Sequence, residues 1–175
     1  MTVVRNIANG QSRPGAAGHF WRIGCLAVLL LLLPAALAAQ QWTGTQPPID
    51  LSHIDAGEIN RYGEPVGYHH RPNGVDPPGA RVVRIVQLPD ANGVYRARVE
   101  LRDPATGVWL DKRATSTFFP DRMSDAEIVE TVLAAFRNAH VRRDGRFVGD
   151  SGRGFAIEGW YRAGRIVAAY PLRGP

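Results

Sequence analysis

One segment of this sequence, residues 124–139, has the 3.6-residue periodicity of an amphipathic helix. Ser124 and Glu127 stand three positions apart at its start and form a capping box, in which each side chain satisfies a backbone N–H group of the first turn. Apolar residues then recur on one face, at Ile128, Val132, Ala135, Phe136 and Ala139. The rest of the core must therefore come from elements of another kind.

Short runs rich in β-branched residues fill most of the chain on either side of this helix. In Val94–Leu101, apolar and charged residues alternate with the period of two that is typical of a half-buried strand. Residues 63–80 are rich in Gly, Pro and His and predict a loop. Strands are predicted at residues 81–88, 94–101, 108–112, 115–119, 146–149, 155–162 and 165–172. This order predicts an α+β fold, an antiparallel β-sheet with a helix packed on it.

The first 38 residues have the three parts of a secretory signal peptide. Residues 1–22 contain three arginines and no acidic residue, and residues 23–33 are almost entirely apolar. Pro34 and an Ala-x-Ala sequence follow, which predicts cleavage after Ala38. We therefore expect a signal peptide at 1–38, a linker at 39–50 and a folded domain at 51–175, with the mature protein secreted or periplasmic.

An inner-membrane anchor is the alternative interpretation of the same residues. The apolar stretch 23–39 is near the shortest length that crosses a bilayer, about 17 residues. Pro34 and the small residues that end the stretch favour cleavage over anchoring. After cleavage we expect no stable membrane association, and the mature chain has no heptad pattern or large apolar stripe that would argue against a monomer.

Removal of this leader changes the charge balance. The full chain has 21 basic and 16 acidic residues, a net charge of +5, but three of the basic residues lie in the leader. The remaining chain has 18 basic and 16 acidic residues, so its overall charge does not by itself predict a nucleic-acid partner. The single cysteine, Cys25, also belongs to the leader, which excludes disulfides and a thiol nucleophile from the mature domain.

Histidines and one lysine are the candidate reactive groups of the mature chain. Histidine can accept or donate a proton near neutral pH. His53 and His69 frame a turn-rich segment, whereas His140 falls at the end of the predicted helix, where a cation suits the helix dipole. All other basic residues are arginines, so Lys112 is the one compact ammonium group, suited to a developing negative charge.

Three segments together resemble the bacterial EndoU nuclease domain, which is found in toxins of contact-dependent inhibition systems and is related to animal poly(U)-type endoribonucleases. They are HIDAGEINRYGEPVGYHHRP at 53–72, ARVELRDPATGVWLDKRATSTFFP at 97–120 and GRIVAAYP at 164–171. The resemblance covers about residues 50–172, nearly the whole mature chain. It implies an EndoU or barnase-like ribonuclease fold.

The resemblance also implies roles for particular residues. His53, His69 and Lys112 correspond to the family's catalytic trio, in which the two histidines are general base and general acid and the lysine stabilises charge. Which histidine is the base stays open. Residues expected to contact the substrate are Tyr170, against the uracil or ribose, and Glu58, Ser116, Thr117, His70 and Arg71.

Such a trio suits RNA cleavage by transphosphorylation. The base takes the proton of the 2′-OH, which attacks the adjacent phosphorus, and the acid protonates the leaving 5′-oxygen. A cation stabilises the negative charge that develops on the phosphorus oxygens. The expected products are a 2′,3′-cyclic phosphate and a 5′-hydroxyl, and DNA should resist because it lacks the 2′-OH. The resemblance thus implies a secreted endoribonuclease with RNA as substrate and, where the protein is a toxin, an immunity protein as partner.

Three features depart from the family pattern. His70 directly follows His69, which leaves open a shift of the second histidine by one residue, although the 16-residue spacing from His53 favours His69. Ser52 stands where animal members have a carboxylate, so metal-independent cleavage without a cofactor is favoured over a manganese requirement. Ala168 stands where many relatives have threonine, two residues before the tyrosine, which leaves the base specificity open. Ala168 also keeps an alternative open: a catalytically impaired domain that binds RNA, another anionic polymer or a partner protein.

Overall fold

The computed structural model describes residues 40–174. Within this range, helices and strands follow the order of the sequence prediction, with four short elements added before the first long strand. The elements are α1 (Leu51–Asp55), β1 (Glu58–Ile59), β2 (Pro65–Val66), a 3-10 turn (Pro72–Gly74), β3 (Ala80–Gln87), β4 (Tyr95–Arg102), β5 (Trp109–Asp111), β6 (Ser116–Phe118), α2 (Asp125–Arg137), β7 (Arg146–Asp150), β8 (Ala156–Arg162) and β9 (Arg165–Leu172).

The strands form three antiparallel groups. The first is the short pair β1–β2, and the second has the order β3-β4-β5, with β6 also paired to β4. The third has the order β7-β8-β9. The predicted α+β fold with antiparallel pairing is confirmed, although the strands divide into separate sheets rather than one.

Helix α2 packs against the third sheet and closes the larger hydrophobic core. Ser124 is its N-cap, and both hydrogen bonds of the predicted capping box are present. The buried face carries Ile128, Val132 and Ala135, which pack in one cluster with residues of β7, β8 and β9. At Gly149 in β7, an added Cβ would overlap the Ala135 carbonyl, so glycine permits the close approach of helix and sheet.

A second core lies between the second sheet and the loop that follows β2. Tyr95 and Phe118 are stacked, with ring centroids 4.9 Å apart, and Tyr68 meets Phe118 edge-on at 5.1 Å. All three side chains are buried. Tyr68 has a positive φ of 61°, a conformation that costs energy in a non-glycine residue and that this packing holds in place.

Residues 41–50 lie along the folded domain. Trp42 bridges to Asp50, and Ile49, which is fully buried, pairs in parallel with Ile166 of β9. The segment that the sequence assigns to a linker is therefore bound to the third sheet, because Ile49 belongs to its core. The proposed signal peptide at 1–38 and the alternative anchor at 23–39 lie outside the described residues. Within the part of the chain that the structure describes, no helix combines the length and apolar character needed to cross a membrane.

Candidate active site

A cleft of about 830 Å³ is lined by residues of both larger sheets and of the loops beside them. The three residues of the predicted catalytic trio all line it. None of its lining residues within 40–174 is an aspartate or a glutamate. The lining consists of His53, Val66, Gly67, His69, Gln87, Arg96, Lys112, Ala114, Thr115, Thr117, Trp160, Ala168, Tyr170, Leu172, Arg173 and Gly174.

His53 is held at the cleft by the short helix α1. Asp50 caps this helix and accepts a hydrogen bond from the His53 backbone N–H at 3.1 Å. The His53 ring is nearly buried, and its Nδ1 lies 3.0 Å from Glu58 Oε1. Because a carboxylate accepts, Nδ1 carries the proton and Nε2 is the nitrogen left for the cleft.

Gly67 allows the two histidine segments to come together. Its φ is 75°, and a Cβ at this position would overlap the His53 carbonyl oxygen. The Tyr68 backbone N–H donates to that same carbonyl at 2.9 Å, and the His69 N–H donates to Ile54 at 2.6 Å. The backbone of the His69 segment is thereby bound directly to α1.

His69 has a defined tautomer. Its Nδ1 lies 2.9 Å from the backbone carbonyl oxygen of Thr117, which can only accept a hydrogen bond. Nδ1 therefore donates, and the neutral ring has its lone pair on Nε2. Burial lowers the pKa of His69 well below its usual value, and the positive charges of Lys112 and His53 lower it further. His69 is thus set up as a neutral imidazole with a free basic nitrogen.

The cleft brings three rings together. The ring centroids of His53 and His69 are 6.1 Å apart, with planes inclined by 31°. The Tyr170 ring stacks on the His69 ring, with centroids 5.0 Å apart and planes inclined by 25°. His69 therefore lies between the other two rings.

Lys112 extends into the same cleft from the end of β5. Its Nζ donates to the Gly67 carbonyl oxygen and to Ser116 Oγ, each at 2.8 Å. Burial lowers the pKa of Lys112 to about 8. Neither partner is negatively charged, so the ammonium charge is held in place without being neutralised.

Tyr170 is supported from behind by an ion pair. It lies opposite Glu158 on β8, and Glu158 accepts two hydrogen bonds from Arg146 of β7, at 2.8 and 2.9 Å. Burial and the neighbouring Glu158 carboxylate raise the pKa of Tyr170 to about 12. The phenol therefore keeps its proton and acts as a hydrogen-bond donor and a stacking surface.

The remaining predicted substrate contacts fall into two groups. Thr117 lines the cleft, Ser116 is buried beneath Lys112, and Glu58 holds His53. His70 and Arg71 are not among the residues that line the cleft, which differs from the sequence expectation.

The reason for this difference is the direction of the chain after Tyr68. His70 is fully buried, with Nδ1 at 2.8 Å from Asp55 and Nε2 at 2.9 Å from the Met123 carbonyl oxygen. The Arg71 guanidinium pairs with Asp76, with Nε at 2.6 Å from Oδ1. Successive residues of an extended segment point to opposite sides, so His69 faces the cleft and His70 the interior.

One group of side chains within residues 40–174 has ligand atoms spaced as a metal site would require. Asp55, His70 and Asp125 offer atoms that all lie within 4.8 Å of one another. None of the three lines the cleft, and the His70 nitrogens already have partners in Asp55 and Met123. A cation held there would not reach the catalytic trio directly.

Several cleft residues have no counterpart in the sequence prediction. Arg96, Trp160 and Arg173 all line the cleft, from β4, β8 and the segment after β9. Arg96 is exposed on the charged side of β4. The alternation of charged and apolar residues in this strand could have indicated its exposure. Trp160 and Arg173 reach the cleft only through strand pairing and carry no local signal.

Comparisons with known proteins identify the family of the chain. A family model described as "Bacterial EndoU nuclease" matches residues 50–173. A Bacillus cereus protein named "Toxin" is 32% identical over 126 residues, which are 71% of this chain and 22% of that protein. The chain thus spans about a fifth of the length of this relative. No solved structure gives a significant match.

The fold and the family model place this domain in a class of α+β nuclease domains. More particularly, the chain belongs to the bacterial EndoU nuclease family.

Proposed function

We propose that this domain is an endoribonuclease that cleaves RNA by transphosphorylation. The proposal rests above all on one observation: two imidazoles with centroids 6.1 Å apart and the Lys112 ammonium line one cleft that has no carboxylate in its described lining. Such a cleft attracts a phosphodiester and supplies the base, the acid and the cation that its cleavage requires.

His69 is the general base in this proposal. Its Nε2 lone pair takes the proton of the ribose 2′-OH, because Nδ1 is committed to Thr117. The lowered pKa keeps the ring neutral and able to accept that proton near neutral pH. The 2′-oxygen then forms a bond to phosphorus.

His53 is the general acid. Its Nε2 donates a proton to the 5′-oxygen as the bond from phosphorus to that oxygen breaks, leaving a 2′,3′-cyclic phosphate and a 5′-hydroxyl. Glu58 beside Nδ1 orients the ring and offsets the positive charge that the ring carries as an acid. Glu58 is thus a positioning residue rather than a substrate contact.

Lys112 stabilises the charge on the non-bridging oxygens of the phosphorane. Its Nζ is fixed by Gly67 and Ser116, so the cation is oriented before the reaction begins. Thr117 and the ring of Tyr170 bound the same space and contact the ribose or base. These groups supply acid, base and charge stabilisation themselves, and we propose that the reaction needs no metal ion.

The experiment uses three matched oligonucleotides: RNA, DNA, and DNA with a single internal ribonucleotide. We expect cleavage of the first and, in the third, one cut 3′ to the ribonucleotide, with a cyclic phosphate detected by mass spectrometry. EDTA should leave the rate unchanged. Cleavage of the all-DNA strand, or products with a 3′-hydroxyl, would rule out the mechanism.

The same experiment separates the second candidate function. Ala168 lines the cleft opposite Trp160 in the β8–β9 pairing, where relatives have a hydroxyl that contacts the base. A domain that binds the RNA strand but leaves every strand intact would be a binding module and not a nuclease.

Export and partners are further parts of this proposal. We propose that the leader is removed after Ala38, that the monomeric product is secreted or periplasmic, and that an immunity protein protects the producing cell. N-terminal sequencing of the exported protein tests the cleavage site, and a product that retains residues 23–39 would favour the membrane anchor.

A further inference from the structure

Among residues 40–174, one lysine and two arginines line the cleft, and the proposed reaction uses only the lysine. Lys112 acts on the scissile phosphate, whereas Arg96 and Arg173 have no part in the chemistry. Guanidinium groups present several donors in a planar fork that matches a phosphate. Their presence in a cleft lined by no described carboxylate calls for an anionic partner.

Arg173 has an unsatisfied donor. Its Nε is buried and has no hydrogen-bond partner within residues 40–174. Its Nη1 reaches the Gly174 carbonyl oxygen only at 3.4 Å, a long contact for a hydrogen bond. A buried charged donor without an acceptor is unfavourable, and an anion bound in the cleft would satisfy it.

Arg96 differs from two neighbouring arginines on the same side of the second sheet. Arg81 pairs with Glu100, and Arg98 pairs with Asp111. Arg96 has no carboxylate partner in the described chain and donates instead to Thr115 Oγ1 at 2.6 Å. Its positive charge is therefore not neutralised by the protein.

The backbone segments that carry Arg96 and Arg173 both approach one turn of the chain, at Asp90. Arg96 is paired with Gln87 across β3 and β4, and three residues later the chain reaches the turn at Asp90. The backbone N–H of Gly174 donates to Asp90 Oδ2 at 3.3 Å, which brings the segment after β9 to this turn.

Arg96 also lies close to the reacting groups along the sheet. Arg96 is also paired with Thr117 of β6, whose carbonyl oxygen holds His69. Lys112 is bound at Gly67, beside the other histidine segment. Arg96 thus lies on the strand paired with the residue that holds His69, and Lys112 is bound to the neighbouring Ser116.

We infer that Arg96 and Arg173 form a second phosphate subsite, which binds the backbone phosphate next to the scissile one in single-stranded RNA. This inference rests on the proposed function and deepens it: the preferred substrate is a strand with at least two consecutive phosphates. A dinucleotide with a single phosphate fills only the reacting part of the cleft.

The test compares a dinucleotide with a tetranucleotide in wild type, Arg96→Gln and Arg173→Gln. Arg143→Gln is the matched control, because Arg143 is an exposed arginine outside the cleft lining. Wild type should favour the tetranucleotide. Each cleft variant should raise KM for the tetranucleotide by about tenfold, the effect of losing one charged hydrogen bond, and should leave dinucleotide cleavage unchanged.

Binding to a 2′-O-methyl RNA tetranucleotide, which cannot be cleaved, tests the subsite separately from catalysis. The slope of log K against log salt should fall by about 0.7 for each lost phosphate contact to a single strand. Arg96 is exposed, so its variant should fold normally even if Arg173→Gln does not. A slope equal to that of Arg143→Gln in the folded variants overturns the subsite. A different result would contradict the proposed function alone: wild type binds the 2′-O-methyl RNA with the expected salt dependence but does not cleave unmodified RNA.

Discussion

His69 and His70 are neighbours in the chain but belong to two different regions of the molecule. His69 lines the cleft, where Nδ1 is bonded to Thr117 and Nε2 has no partner within the described chain. His70 faces the interior between α1 and α2, where both nitrogens have acceptors, Asp55 and Met123. The two residues have the same chemistry and opposite surroundings.

The difference shows which property distinguishes a reactive histidine from a structural one in this fold. Both histidines are almost completely buried, so burial alone does not distinguish them. A fully satisfied ring fixes structure, since any change of partner leaves a polar group unpaired. A ring with one satisfied and one open nitrogen is oriented and still free to exchange a proton. Substitutions at His69 and at His70 test this contrast.

The largest expected effect is on catalysis by His69→Asn. The asparagine amide nitrogen takes the place of Nδ1 and can still donate to Thr117, but asparagine cannot accept a proton from the 2′-OH. We expect kcat/KM for RNA to fall by about 10² to 10⁴, the usual contribution of a general base. The free energy of unfolding, measured in urea, should change by about 1 kcal/mol or less, because the hydrogen bond is kept. Activity within a few-fold of wild type would show that His69 is not the base.

The converse variant, His70→Phe, should mainly affect stability. It removes the hydrogen bonds to Asp55 and Met123 and leaves the Asp55 carboxylate without its partner. We expect a loss of about 2 kcal/mol in the free energy of unfolding, less than for a fully buried pair because the Asp55 side chain is partly exposed.

Activity per folded molecule is the matching measurement for His70→Phe, and it should stay within a few-fold of wild type. Asp55→Asn and the double variant complete a mutant cycle that isolates the pair. A large drop in kcat without a loss of stability would mean that His70 contributes to the chemistry, and the contrast between the two histidines would fail.

The pH dependence of kcat/KM sharpens the comparison, because it reports groups in the cleft. Lys112 is protonated below its pKa of about 8, so activity should fall about tenfold per unit as the pH rises past that value. His69 must be neutral, so activity should also fall at acidic pH, below its lowered pKa.

Lys112→Arg is the control for the alkaline side of this profile. A guanidinium keeps its charge throughout the range, so whatever activity remains should no longer fall near pH 8. The persistence of the same alkaline decline in this variant would assign it to another group.

The smallest expected effect concerns base preference. Ala168→Thr restores a hydroxyl in the cleft beside Tyr170. One new hydrogen bond to a base should change the ratio of uridine to cytidine cleavage by about three- to tenfold. Competition between two oligonucleotides that differ at one base measures the ratio, and an unchanged ratio would mean that position 168 does not contact the base.

Much of the fold was predictable from local sequence. The capping box at Ser124 and the alternation in Val94–Leu101 depend on neighbours a few residues away, and the structure has the helix and strand where these patterns predict them. Helix α1 was missed because five residues are too few to show a helical period. Its stability comes from the Asp50 cap and from buried Leu51 and Ile54.

The site was predictable only in part. The resemblance to the bacterial EndoU domain pointed to His53, His69 and Lys112, three residues that the structure brings to one cleft. The opposite facing of His69 and His70 was not predictable, because it depends on the positive φ of Tyr68 and on tertiary packing. Trp160 and Arg173 reach the cleft through the pairing of β8 with β9, which no local pattern encodes.

The cleft draws on both ends of the domain, His53 from the first helix and Tyr170 from the last strand. A chain still being synthesised has both histidines and Lys112 long before β9 leaves the ribosome. Until then it lacks one wall of the cleft, together with the strand against which Ile49 pairs. We therefore expect the nascent chain to be inactive during translation, so that the ribosome and its messenger RNA are not exposed to a working nuclease.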